Sequence, residues 1–308
     1  MLRPLPVLGS SLLICGAWMF VDGALPEAPA APNNGPSAPA TAAAPETTAE
    51  LLRVASVDAN PRLFTGNSDP SMRALLRSIE LLRDGLERLD AVPAYAATFE
   101  KREVVDGVLL EGQAMDMTLR HEPFGVHLAW VAGQRGRTLL YEAGRNDGEM
   151  LVNPGGWKGR LTGTLRLDPE GSLAMREARH PVSKLGMGEL AATLLRYRLK
   201  EIAAGRDVTC TLSDGDEHDG RPAWRNELEY ASPESGGEFR RSVVLIDREW
   251  NLPVRLETYG WPAADVPLDQ LDERTLTGRY VYTNVDFNRF GDAAPLDDLA
   301  ELTGFQIK

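Results

Sequence analysis

Cysteine is nearly absent from this chain: 308 residues contain two, Cys15 and Cys210. Cys15 lies inside an N-terminal apolar run and Cys210 in an expected strand. They cannot make a disulfide framework, and Cys210 reads as a small core hydrophobe. Histidine is scarce as well, with four: His121, His127, His180 and His218. His121-Glu122 is followed by Pro123, so there is no H-E-x-x-H zinc helix, and no other stretch gathers enough ligands for a metal site. Positive charge is in deficit, 33 Lys and Arg against 45 Asp and Glu, which leaves a formal net charge of −12. A deficit of that size argues against nucleic acid and against a polybasic hold on anionic lipid.

Catalytic motifs are missing too. The Gly-rich stretch 153–163 contains Lys158 but lacks the spacing of a phosphate-binding P-loop, and it reads as a flexible loop. The acidic run 214–220 fails the calcium-loop pattern, because His218 takes a ligand position and Asp219 stands where the Gly should be; it reads as a solvated hairpin tip. Ser172 and Ser183 flank His180 without a G-x-S-x-G elbow. Asp168 and Glu170 form an acid pair, but a sequence cannot give the carboxylate separation that glycoside chemistry needs. No cofactor and no enzymatic activity are expected.

What is present begins at the N-terminus. Arg3 precedes an apolar run from Leu5 to Val21. Its length falls between a secretory core of about 7–15 residues and a membrane span of about 20. Residues 1–24 therefore read as a signal peptide or a signal anchor. Ile14 before Cys15 does not suit lipidation. Either reading sends the remainder out of the cytoplasm, to the periplasm or cell envelope, and an uncleaved segment would hold it at the membrane. Residues 25–68 are rich in Ala and Pro and read as a largely disordered linker.

Asp69-Pro70 then opens a helix, with Met72, Leu75, Leu76, Ile79, Leu82, Leu86 and Leu89 on one stripe. Residues 95–153 alternate apolar and polar positions between short turns, as in a meander of about five antiparallel strands. Met115, Met117 and Leu119 share one face of a strand; Val126, Leu128 and Trp130 share one face of the next. A second helix is expected at 186–204, burying Met187, Leu190, Leu194, Tyr197 and Ile202. Strands return from 208 to 287, with Trp224, Leu228 and Tyr230 opposite Arg225, Glu227 and Glu229. Residues 291–308 read as a loosely docked tail. About ten strands with two helices and no β-α-β alternation indicate the α+β class with an antiparallel sheet.

The apolar face of that sheet carries Phe99, Met115, Met117, Phe124, Leu128, Trp130, Trp224 and Tyr230. These residues read either as plain core or as the wall of a cavity for an apolar ligand, since two helices are little cover for so many strands. Residues 173–182 set Met175 beside Arg179 in a loop, a pairing that suits an amphiphile with its chain on Met175 and an anionic head near Arg179. The alternative is an Arg179 that pairs with a carboxylate and only fixes the loop.

The segments YAATFEKRE (95–103), EPFGV (122–126), LYEAGRNDG (140–148) and LDPEGSLAMREARHPV (167–182) resemble a bacterial family of unknown function, domain-of-unknown-function family 1571. That family is similar in turn to the LolA/LolB-like lipoprotein-carrier superfamily. The resemblance implies a curved, unclosed half-barrel over 69–290 with two main helices over its concave face. It also implies an extracytoplasmic protein that binds a lipid, lipoprotein or other amphiphile. A cell-envelope sensor or scaffold that binds a protein partner is the second expectation.

Overall fold

The computed structural model describes residues 69–205, 207–263, 265–290 and 298–307. The N-terminal segment expected at 1–24, the linker at 25–68 and the first part of the tail lie outside them.

Helix α1 spans Pro70–Leu89 and starts on a proline, whose missing N–H would have had no intrahelical acceptor. Leu75, Ile79, Leu82, Leu86 and Leu89 are buried at steps of three or four. Met72 is exposed and Leu76 only partly covered, unlike the expected stripe. The reason lies in the first turn, where Ser71 faces the sheet. Its Oγ donates to the carbonyl of Val208 (3.1 Å) and accepts from the N–H of Cys210 (2.7 Å).

Twelve strands form one antiparallel sheet. They are β1 (Ala94–Val105), β2 (Val108–Leu109), β3 (Gln113–Arg120), β4 (Gly125–Ala132), β5 (Thr138–Glu142) and β6 (Met150–Asn153), then β7 (Leu165–Leu167), β8 (Val208–His218), β9 (Arg221–Tyr230), β10 (Arg241–Asp247), β11 (Pro253–Tyr259) and β12 (Leu276–Asp286). The order is β7-β6-β5-β4-β3-β1-β12-β11-β10-β9-β8, with β2 a short flap on β1. The ends of that path do not pair, so the sheet is a half-barrel and not a closed barrel. The α+β class and antiparallel sheet read from the sequence are those of the structure.

Helix α2 (Met187–Ala204) joins the two halves of the sheet in sequence. It packs with α1 on one face of the second half, where Ile79, Leu82 and Leu86 meet Ala191, Leu195, Val244 and Ile246. The small Ala191 and Ala192 let the helices approach closely. Tyr197, expected inside, is 48% exposed. Gly85 has a comparable role in α1, since a Cβ there would collide with the backbone of Asn251.

Three further segments differ from expectation. The Gly-rich stretch folds as a short helix, Gly156–Thr162, against the low intrinsic propensity of glycine. The acidic run 214–218 lies inside β8, paired with β9 through a bulge between Ser213 and Asp216. Only Asp219-Gly220 turns, both at positive φ as a tight hairpin requires. Finally, residues 298–307 are docked. Helix α3 (Leu299–Thr303) is capped by Asp298, whose Oδ1 accepts from the Glu301 N–H at 2.9 Å. Leu299 and Phe305 pack on Leu140 and Leu151, on the sheet face opposite α1 and α2.

That docking covers His127, whose ring lies 6.0 Å from Phe305, edge to face. Burial pushes the His127 imidazole down to about 4 from its ordinary 6.5. A depressed folded-state value means that the unfolded chain takes up the proton first as pH falls. Stability present above about pH 6.5 should therefore be lost progressively between 6.5 and 4, by up to roughly 3 kcal/mol from this group. Urea unfolding at pH 7 and pH 4.5 checks this. The difference should shrink in His127→Phe, and an equal difference in both proteins would assign the loss elsewhere.

Candidate functional site

The inner face of the first half of the sheet meets a long helix only at the start of α2, where Met187 and Leu190 pack on its core. Pairing fixes which residues share that face: Phe99 stands opposite Met115 and Tyr282, Met115 opposite Trp130, and Leu128 opposite Leu139. Residues 169–186 cross this face as a strap, with a one-turn helix Ser172–Met175 and a 3-10 turn Val182–Lys184. Ala174, Val182 and Leu185 rest on the core. Between sheet, strap and α2 lies a cavity of about 510 Å³. That volume falls within the roughly 300–1,000 Å³ typical of small-molecule sites.

The cavity has an apolar wall and a polar rim. Phe99, Met115, Leu128, Trp130, Leu139 and Tyr282 build the wall. Phe99 and Tyr282 stack with ring centroids 5.0 Å apart, and the Trp130 indole N–H donates to Gln113 Oε1 at 3.0 Å. Several charges of the rim are paired. Lys101 Nζ lies 2.6 Å from Glu103 Oε1 and donates to the Glu177 carbonyl at 2.8 Å. The Tyr280 hydroxyl donates to Glu103 Oε2 at 2.8 Å, and burial with the adjacent carboxylate pushes that phenol well above its ordinary value. Arg137 pairs with Glu177 and lies 4.7 Å over the Trp130 ring. Arg179 pairs with Glu238 and lies 5.4 Å over Phe239.

Of the residues singled out from the sequence, Phe99, Met115, Leu128, Trp130, Met175, Arg179 and Tyr230 line this cavity. Three do not. Met117 is buried one pair further along the sheet, towards Leu119. Phe124 sits beside Tyr141, 6.1 Å between ring centroids. Trp224 packs against the core beneath the helices, with the Arg248 guanidinium 4.4 Å over its ring. Arg179 has the carboxylate partner that the structural alternative required. The sequence reading missed Lys101 and Glu103, which continue the alternation of Phe99 along β1. It also missed Arg198, which continues the Leu190–Leu194 stripe of α2 by one more step of four.

The strap is thus held by two ion pairs at its rim, Arg137–Glu177 and Arg179–Glu238. Partly exposed pairs of this kind contribute about 0–1 kcal/mol each. Arg179→Ala should leave the melting temperature nearly unchanged while speeding amide hydrogen exchange over residues 176–182. Unchanged exchange there would mean that the Arg179–Glu238 pair does not hold the strap.

Comparison with known proteins places the chain as follows. No curated protein matches it. Among solved structures it is similar to MucB of Pseudomonas aeruginosa, solved with MucA, at 14% identity over 68% of this chain and 56% of that one, with a TM-score of 0.38. It is also similar to the lipoprotein LppX of Mycobacterium tuberculosis, at 13% identity over 70% and 94%, TM-score 0.36. A LolA superfamily protein from Nitrosomonas europaea matches at 11% identity over 68% and 92%, TM-score 0.27. The sequence profile of the family described as "Protein of unknown function (DUF1571)" matches residues 92–298, which takes in every strand of the sheet, the strap and α2. The chain belongs to the DUF1571 family.

Proposed function

We propose that this chain is an extracytoplasmic binding protein for a lipid, lipoprotein or other amphiphile, held between the curved sheet and the strap. The observation that carries this reading is the cavity of about 510 Å³, with its apolar wall on the sheet and its paired charges at the rim. An apolar pocket with a few placed polar groups suits a ligand that has a chain and a head. At the rim Lys101, Arg137 and Arg179 are engaged with carboxylates, which supports a reading of the site as one for binding without catalysis. Arg3, the apolar run to Val21 and the Ala/Pro-rich spacer support a location outside the cytoplasm. Retention of residues 1–24 would tether the chain, and cleavage near Gly23 would release it; the intact mass distinguishes the two.

A second reading, a cell-envelope sensor or scaffold that binds a protein partner, has one observation in its favour. Trp157 and Leu161 of the short helix are 69% and 77% exposed, with Leu173 of the strap exposed as well.

An organic extract of the purified protein, analysed by mass spectrometry, separates the two readings. Amphiphile binding predicts co-purifying lipid near one molecule per chain, reduced by Leu128→Trp, which fills the wall. An extract free of lipid, together with no uptake of added lipid, would contradict it and favour the partner-binding reading.

A further inference from the structure

Arg198 differs from the other cations of the lining: Lys101, Arg137 and Arg179 each meet a carboxylate, and Arg196 and Lys200 reach solvent, whereas Arg198 is buried without one. It lines the cavity from α2 and is only 2% exposed. A guanidinium has five N–H donors and keeps its proton in proteins. Here Nη2 donates to Asn226 Oδ1 at 3.1 Å, and Nε is fully buried without an acceptor. Asn226 is itself committed: its Nδ2 donates to the Thr211 carbonyl at 3.0 Å. Glu201, one turn along α2 and also buried, accepts the Tyr230 hydroxyl at 2.9 Å, and it acts on Arg198 through space. Burial lowers the proton affinity of Arg198, as expected where solvent is excluded and no carboxylate is in contact. A buried cation left with a neutral acceptor is costly unless something completes its hydrogen bonds.

We propose that Arg198 anchors an anionic group, a carboxylate or phosphate, on an amphiphile whose chain lies against the wall of Phe99, Met115 and Leu128. This inference rests on the reading of the cavity as an amphiphile site and adds the charge and the orientation of the ligand. The head lies at the buried Arg198 end, with Tyr230 and Ser242 also in the lining. It does not lie at the rim, where Arg137 and Arg179 already have carboxylates.

The test uses the full chain with three probes of one chain length: laurate, dodecyl phosphate and dodecanol. The proposal predicts that at least one anionic probe binds tighter than dodecanol by about tenfold or more, the ratio a charge-assisted hydrogen bond supplies. Which of the two does so names the head group. Arg198→Met should remove the preference and leave dodecanol within about threefold of the original protein. Asn226→Asp is the second variant: it sets a carboxylate against Arg198 and should also suppress the preference. It decides the matter if Arg198→Met does not fold. Equal binding of all three probes by the original protein, or a preference that survives in either variant, overturns the inference and leaves the amphiphile site standing. If none of the probes binds, the cavity reading fails and this inference with it.

Discussion

Where the strap ends and α2 begins, the backbone N–H of Met187 donates to the buried hydroxyl of Tyr95 at 3.0 Å. The first N–H groups of a helix have no intrahelical acceptor, and here a side chain of the sheet supplies one. Burial pushes the Tyr95 phenol far above its ordinary value, so it stays protonated. Burial raises Tyr282 as well, opposed by a backbone hydrogen bond from Gly186. The residue at this junction has to be glycine. Its φ is 115°, and a Cβ would stand 2.5 Å from Leu119 Cδ1 and 3.2 Å from the Tyr95 hydroxyl. Two tyrosines and a glycine thus fix the start of α2 directly on β1, β3 and β12.

The cavity follows from that fixed point. From Gly186, α2 runs over the half of the sheet that holds β10 and β11, where α1 also lies. Both long helices are then spent on one half. Beyond the contact of Met187 and Leu190 at the start of α2, the apolar face of β1, β3, β4 and β5 is covered by the strap, whose one-turn helix and 3-10 turn carry few apolar side chains. A strap of this kind bridges a sheet without filling the space beneath it. On the opposite face the cover is also divided: α3 and Phe305 close the first half, and paired charges cover the second. There Glu257 Oε1 lies 2.7 Å from both Arg255 and Arg279.

Much of this was legible because side chains alternate with period two along a strand. The inward faces of β3 and β4 could be read from Met115, Met117, Leu119, Val126, Leu128 and Trp130 alone. Depth along the strand could not. Met115 meets the cavity and Met117 the core because of where the strap crosses, which is a contact distant in sequence. On α2 the expected Met187 and Leu194 are buried and Tyr197 is not. Tyr197 suits the helical spacing as well as Ala191 and Leu195 do, and only the close approach of α1 selects the latter two. The tail was read as loose because Leu299 and Phe305 are too few to make a pattern; their pocket on Leu140 and Leu151 exists only once β5 and β6 have paired. The acids of 214–218 looked like a solvated tip, yet they lie in the edge strand β8, which has one free side and tolerates charge.

The central claim is that the space between sheet and strap is a ligand site and not core that repacks around it. A crystal grown with a long-chain alcohol brominated at its tail tests this most directly. The account predicts an anomalous bromine peak against Phe99, Met115 and Leu128, with the wall side chains unmoved. A bromine position outside the cavity, or wall side chains collapsed into the space, would contradict it.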